Sequence, residues 1–307
     1  MDPPGLQARD GGGRRRGRGA TALGAVYREF VLGGHLLAIG TASMAAASAL
    51  ALGVPIAPVL LVMAYLFSYG AYMMNRSTDI DADSVSHPER TAHLGSRRRY
   101  LPVISGGCFV LGYALALTVN FVFFLALLAP LAFALAYSVG SKRLVGVIGV
   151  SKLKDKLLVK NLFVSLGWSL VPVLVGFYYL RFALVLFWLG VFIFLRLMVN
   201  TLIFDVRDVE GDRRAGIKTV PVVYGARRTF LVMGAIDVAA LAFLVGAVAL
   251  GQLPYVSLML AILPLYSLGY AALARRPGAN LGMICDLMAD GEYLAWGPLM
   301  YIGAAIF

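Results

Sequence analysis

Charge is scarce in this chain: of 307 residues only 14% are Asp, Glu, Lys or Arg, while 60% are hydrophobic, and the mean hydropathy is +0.81. A soluble domain carries nearer a quarter charged residues, so water is excluded as the main solvent. Cysteine is scarcer still. Cys108 and Cys285 lie far apart in or beside apolar runs, with no His or second Cys at ligand spacing, which argues against a zinc site or a disulfide framework. The apolar runs lack the two-residue alternation of a membrane β-strand. Many approach or exceed the roughly 20 residues that span a bilayer as a helix. In lipid the backbone must satisfy its own hydrogen bonds, so the expected fold is all-α: an integral membrane bundle.

About nine spans are expected, near residues 28–52, 55–75, 100–119, 121–140, 158–179, 182–204, 229–250, 254–274 and 292–307. Residues 1–20, with Arg9, Arg14, Arg15, Arg16, Arg18 and a glycine run, read as a disordered basic tail; 21–307 read as one polytopic domain. The first apolar stretch is too long for a cleavable leader. Short and long connections alternate, so all the long ones fall on one side. They hold Arg76, Arg90 and Arg97 to Arg99, then Lys142, Arg143, Lys152, Lys154 and Lys156, then Arg207, Arg213, Arg214, Lys218, Arg227 and Arg228, then Arg275 and Arg276, against Arg181 alone opposite. The positive-inside rule places the N-terminus and these connections in the cytoplasm of a multi-pass cell-membrane protein. The net charge of +11 is thus mostly topology, with membrane lipid rather than nucleic acid as the partner.

Acids are outnumbered 16 to 27 by Lys and Arg, yet they gather at two helix ends. Past the second span, Asn75, Asp79 and Asp83 recur at i, i+4 and i+8, with Asp81 pointing elsewhere; past the sixth, Asp205, Asp208 and Asp212 recur at i, i+3 and i+7, with Glu210 off that face. Carboxylates at one-turn spacing repel, the more so beside a low-dielectric membrane, so stacking them twice requires a cation. Hard oxygen ligands without His or Cys point to Mg²⁺ or Ca²⁺, and an open set completed by phosphate oxygens suits Mg²⁺. A single row reads equally well as solvated loop charge. The pair, at corresponding ends on one side, points to a site. A base and a Thr follow each row (Arg90 and Thr91; Lys218 and Thr219), so helices 2–5 and 6–9 are expected to be two related halves around a central cavity.

These residues resemble the UbiA family of intramembrane prenyltransferases, whose acidic motifs follow the second and sixth helices, and the resemblance covers nearly the whole chain. Here the motifs occupy 75–99 and 205–228, and Arg76 stands where many members have Asp. The resemblance implies Mg²⁺ held by Asn75, Asp79, Asp83, Asp205, Asp208 and Asp212, with Asp79, Asp83, Asp205, Asp212 and Lys142 as the catalytic set. Tyr137 and Lys142 match the Tyr and Lys that the family carries after the fourth helix, and Arg90 and Lys218 join them as diphosphate partners. As ordinary interface anchors, Tyr137 and Lys142 would need no such role. The implied reaction moves a prenyl group from a prenyl diphosphate to an unidentified acceptor. Alternatives are an intramembrane terpene cyclase or diphosphate-cleaving relative using the same metal site, and a cation-coupled transporter, which would instead place its acids near mid-membrane in interrupted helices.

Arg196 and Asn200, one turn apart on the sixth span, are read as leading toward Asp205 and as candidates for the acceptor pocket; an interhelix hydrogen-bonding pair is the alternative. For Arg28, snorkelling is preferred, and for His35 a satisfied interior imidazole. Asp286, Asp290 and Glu292 are read as favoured at the N-terminus of the last span, with a third acidic patch as the rarer reading.

Overall fold

The structure, a computed structural model, describes residues 22–86, 88–132 and 157–307; for 22, 23, 78–86 and 88 it describes the backbone alone. Among these residues every regular element is helical. In chain order they are α1 (Ala22–Tyr27, continued by a π-turn Arg28–Leu32), α2 (His35–Leu52), α3 (Pro58–Ser86), α4 (Pro88–Gly95), α5 (Leu101–Val119), α6 (Phe121–Ala126), α7 (Val159–Ser169), α8 (Val171–Tyr179), α9 (Leu184–Arg214), α10 (Val220–Tyr224), α11 (Ala226–Ala249), α12 (Ile262–Ala274) and α13 (Trp296–Ile306).

Seven described stretches are long and apolar enough to cross a membrane: His35–Leu52, Pro58–Ser77, Arg98–Val119, Val159–Tyr179, Leu184–Arg214, Ala226–Ala249 and Tyr255–Ala274. The fourth predicted span is described only to residue 132, and the last helix, α13, has 11 residues. Two predicted spans are interrupted. The fifth breaks at Leu170, where Pro172 opens α8, and the eighth begins as a 3₁₀ run, Tyr255–Ala261, before α12. The first span does not begin at residue 28. The chain turns at Gly34, which holds φ +88° and lies against Tyr72; a Cβ there would come within 2.4 Å of that ring. Only glycine fits both conditions, so the span starts at His35.

α2 occupies the middle of the bundle and packs against α3, α8, α9, α13 and the 290–295 turn. Its composition explains this position. Gly40, Ala45, Ala47, Ser48 and Ala49 are buried, and small side chains let helices approach closely in lipid; a Cβ on Gly40 would lie 2.6 Å from that of Tyr293. Helices at the rim show the opposite pattern. On α5, Val103, Val110 and Leu117 are 69, 72 and 55% exposed, a seven-residue stripe of apolar side chains that faces lipid. At the α5–α6 turn Asn120 accepts from the Phe123 amide and donates to the Phe177 and Tyr178 carbonyls, tying that turn to the end of α8.

The connections predicted as motif loops are largely helical. α3 runs unbroken through 75–86 and α9 through 205–214, and these are the longest helices described, 29 and 31 residues. Both project beyond the length a bilayer requires and carry their acids on the projection.

Candidate functional site at the two acidic helix ends

Because α3 does not break, Asn75, Asp79 and Asp83 lie within an arc of about 80° on its surface, with Asp81 on the opposite side. Arg76 sits 5.1 Å above the Tyr72 ring. Arg90 is buried within α4.

The second row is fixed more fully. Asp205 is 0% exposed; Asn161 of α7 donates to one carboxylate oxygen at 2.8 Å and the Lys160 ammonium to the other at 3.3 Å. Asp208 is held by Arg207 at 2.9 Å, and the same guanidinium reaches Asp286 at 2.7 Å and lies over the Phe204 ring. One carboxylate oxygen of Asp212 is buried and accepts no hydrogen bond. An acceptor left bare in a buried position is costly unless a cation or donor reaches it. Glu210, two residues away, points to solvent and pairs with Arg213 and Arg214.

The segments beside the two rows approach each other. Burial, with the charges of Asp286 and Glu89 adding to it, raises the phenol of Tyr27. Asp290, between the eighth and ninth predicted spans, accepts from Asn200 at 3.3 Å. Burial and the charge of Asp286 push its carboxyl up to about 7, against Asn200, Arg207 and Arg90. α4, which follows the first row, and the 284–289 turn, latched to the second row through Arg207, both contact the π-turn Arg28–Leu32.

Not every predicted residue joins this group. Tyr137 and Lys142 lie outside the described residues, as do the side chains of Asp79 and Asp83. Lys218 is exposed. Among the described residues no three His, Cys, Asp or Glu side chains are grouped closely enough to hold a metal ion. Arg196 and Asn200 do not lead toward Asp205. At 100° per residue they stand roughly 130° round α9 from the acidic row, and Arg196 is 1% exposed, bonded to Asp237 of α11, to both oxygens of Glu292, and to the Leu263 carbonyl. Its surroundings are those of the interhelix alternative. Glu292, placed by the sequence at an ordinary helix N-terminus, is likewise buried in this cluster, and Asp286 and Asp290 are engaged by α9.

Two sets of residues were not singled out from sequence. Lys160 and Asn161 sit just inside the fifth predicted span, where a base was a usable signal. Asp237, the only acid within α11, was another.

The fold and the paired acidic ends define a polytopic helical membrane protein with an ionic site built where its two longest helices leave the bilayer. The UbiA prenyltransferase family profile matches residues 36–280, and the chain belongs to that family. It is 26% identical over 207 residues to a digeranylgeranylglyceryl phosphate synthase of Methanopyrus kandleri, an alignment covering 66% of this chain and 65% of that protein; the chain thus matches just under two thirds of the relative's length. Among solved structures, a UbiA homologue from Archaeoglobus fulgidus bound to DMAPP and Mg²⁺ superposes with a TM-score of 0.63 at 17% identity, over 91% of this chain and 98% of that one. The apo form of a UbiA homologue from Aeropyrum pernix K1 gives 0.64 at 18% identity, over 88 and 97%. The fold is therefore shared along nearly the full chain, and the protein is a multi-pass membrane protein.

Proposed function

We propose that this protein transfers a prenyl group from a prenyl diphosphate to a lipid-soluble acceptor, at a Mg²⁺ site formed by Asn75, Asp79, Asp83, Asp205, Asp208 and Asp212. The observation that carries the reading is the pair of unbroken acidic helices, with a buried Asp212 oxygen that lacks a partner. Such a donor set of carboxylates and an amide suits a hard divalent ion. Mg²⁺, if held by these residues, would supply positive charge to offset that of the leaving diphosphate. Lys160, Arg90 and Lys218, with Tyr137 and Lys142, supply the positive charge and hydrogen bonds that hold the diphosphate. The apolar walls of the bundle exclude water from the prenyl carbon and so favour transfer over hydrolysis. The basic tail and loops set the N-terminus and the mouth of the site on the cytoplasmic face.

The names of the relatives point to a glycerol phosphate lipid as the acceptor, geranylgeranylglyceryl phosphate being the first to try. Transport of a cation is disfavoured because the buried acids Asp237 and Glu292 are both neutralised by Arg196. Purified protein is to be incubated with labelled geranylgeranyl diphosphate and Mg²⁺, with geranylgeranylglyceryl phosphate or with hydroxybenzoate, naphthoate or homogentisate. A prenylated product with one acceptor and none without it supports transfer. Diphosphate release independent of any acceptor identifies a cyclase or diphosphate-cleaving enzyme, and no release under any condition rejects enzyme function.

A further inference from the structure

Any such transfer leaves a proton behind. As the acceptor's oxygen or carbon bonds to the prenyl carbon, the C–O bond of the diphosphate ester breaks and its electron pair departs with the diphosphate; the acceptor's own hydrogen must leave as H⁺. In a site walled off from water, that proton must go to the departing diphosphate or along a path of protein groups, and a path is present.

The side of α3 that carries the acidic row also carries tyrosines: Tyr65, Tyr72, Asp79 and Asp83 fall within an arc of about 40°, with Tyr69 beside them. Along the helix Tyr69 lies roughly 9 Å and Tyr65 roughly 15 Å from Asn75, on the membrane side of the row, where the prenyl and acceptor parts of the substrates would extend. His35, the first residue of α2, is stacked on this face, its ring centroid 4.7 Å from that of Tyr69 and nearly parallel to it. Its Nδ1 is 2.6 Å from the Tyr65 hydroxyl, and its Nε2 is 3.5 Å from Oε1 of Glu29. Glu29 stands 3.3 Å from His93 Nε2 on its other oxygen and accepts from Arg97 at 2.7 Å. With Nδ1 accepting from the phenol, the neutral ring carries its hydrogen on Nε2, facing the carboxylate. Arg97 holds the Glu29 carboxyl below the usual range, so it is ionised. Glu29 is 36% exposed and Tyr65 is half-buried; the chain of groups therefore runs from within the membrane to solvent.

We propose that Tyr65, His35 and Glu29 form the proton exit of the transferase site, and this deepens the reading of the site given above. The acceptor's proton passes to the Tyr65 oxygen as Tyr65 passes its own to His35 Nδ1. The resulting imidazolium is stabilised against Glu29, and its Nε2 proton leaves through that carboxylate; tautomeric exchange with solvent then returns the remaining ring hydrogen from Nδ1 to Nε2 for the next turnover. Gly34, which lets α2 begin where it does, positions the ring. The charged or titratable groups that bear on His35 are Glu29 from the π-turn after α1, Tyr65 and Tyr69 from α3, with His93 of α4 and Arg97 beyond it acting through Glu29.

The test uses the full chain with whichever acceptor proves active, comparing His35→Gln, His35→Ala, Tyr65→Phe and wild type from pH 5.5 to 8.5. Wild-type kcat should fall toward acid pH, because the relay needs a neutral ring at His35 to accept the Tyr65 proton. His35→Gln and Tyr65→Phe should lower kcat by about 100-fold or more at neutral pH, with KM for the prenyl diphosphate nearly unchanged and the acid limb lost; imidazole in the buffer should restore part of the His35→Ala rate. Tyr65→Phe keeps the ring stack and so guards against a folding defect. An active enzyme whose His35→Gln or Tyr65→Phe variant keeps the wild-type rate and acid limb overturns the relay alone, as does a loss that is equal at every pH and not rescued. A wild-type protein without transferase activity overturns the relay together with the reading beneath it.

Discussion

Lys160 and Asp205 show how a single residue changes the character of the site. A carboxylate at 0% exposure must be compensated, and Asp205 is met by an ammonium and an amide from α7 rather than from its own helix. Lys160 is itself 37% exposed on its side chain, so it can also face an incoming phosphate oxygen. Lys160→Met should therefore lower kcat/KM for the prenyl diphosphate by at least about tenfold, the scale of one charge-assisted hydrogen bond of about 1.5–3 kcal/mol. Glu210→Ala, which removes only solvent-exposed pairs with Arg213 and Arg214, should stay near wild type. Steady-state kinetics on the two variants checks both statements, and similar losses in both would undo the distinction. The spacing of the acids revealed which carboxylates share a face. It did not reveal Lys160, because a base just inside a predicted span marks an interior role but not the helix that will come to face it.

At the scale of elements, α9 works as a hub with two occupied faces. Asp205, Asp208 and Asp212 occupy one, and Asp205 meets α7; Arg196, Asn200 and Arg207 occupy the other and meet α11 and the 284–292 turn. Arg196 lies between Asp237 and Glu292, with Ser267 donating to Asp237 at 2.7 Å, so one guanidinium joins α9, α11, α12 and the turn before α13. Removing it strands two buried acids, and Arg196→Met should destabilise the protein by about 3–5 kcal/mol. Adding Asp237→Asn and Glu292→Gln to that variant should recover much of the loss, because the stranded charges go with it; thermal unfolding in detergent reads both effects. A triple variant as unstable as Arg196→Met would mean that packing, not charge, governs the cluster. Its members are separated by 41 and 96 positions, too far for any periodic pattern to link them. The helices themselves were legible from apolar length, and the continuation of α3 and α9 past the bilayer from the one-turn spacing of their acids. The break at Gly34 was not, since it depends on how closely Tyr72 approaches.

For the whole molecule, the sequence alternates long basic connections with short ones, and the positive-inside rule therefore leads one to expect both acid-bearing helix ends on the same face. The fold of the family supplies the rest: small residues bring α2 into the centre, apolar stripes on α5 turn to lipid, and the projecting ends of α3 and α9 carry the two acidic rows. The direct test is diphosphate release by purified Asp79→Ala and Asp212→Ala, with Mg²⁺, labelled geranylgeranyl diphosphate and the acceptor that proves active with wild type, beside wild type and with folding verified by thermal unfolding. If the two helix ends form one metal site, each single variant loses turnover while remaining folded. A folded variant of either residue that still releases diphosphate at the wild-type rate would contradict the account.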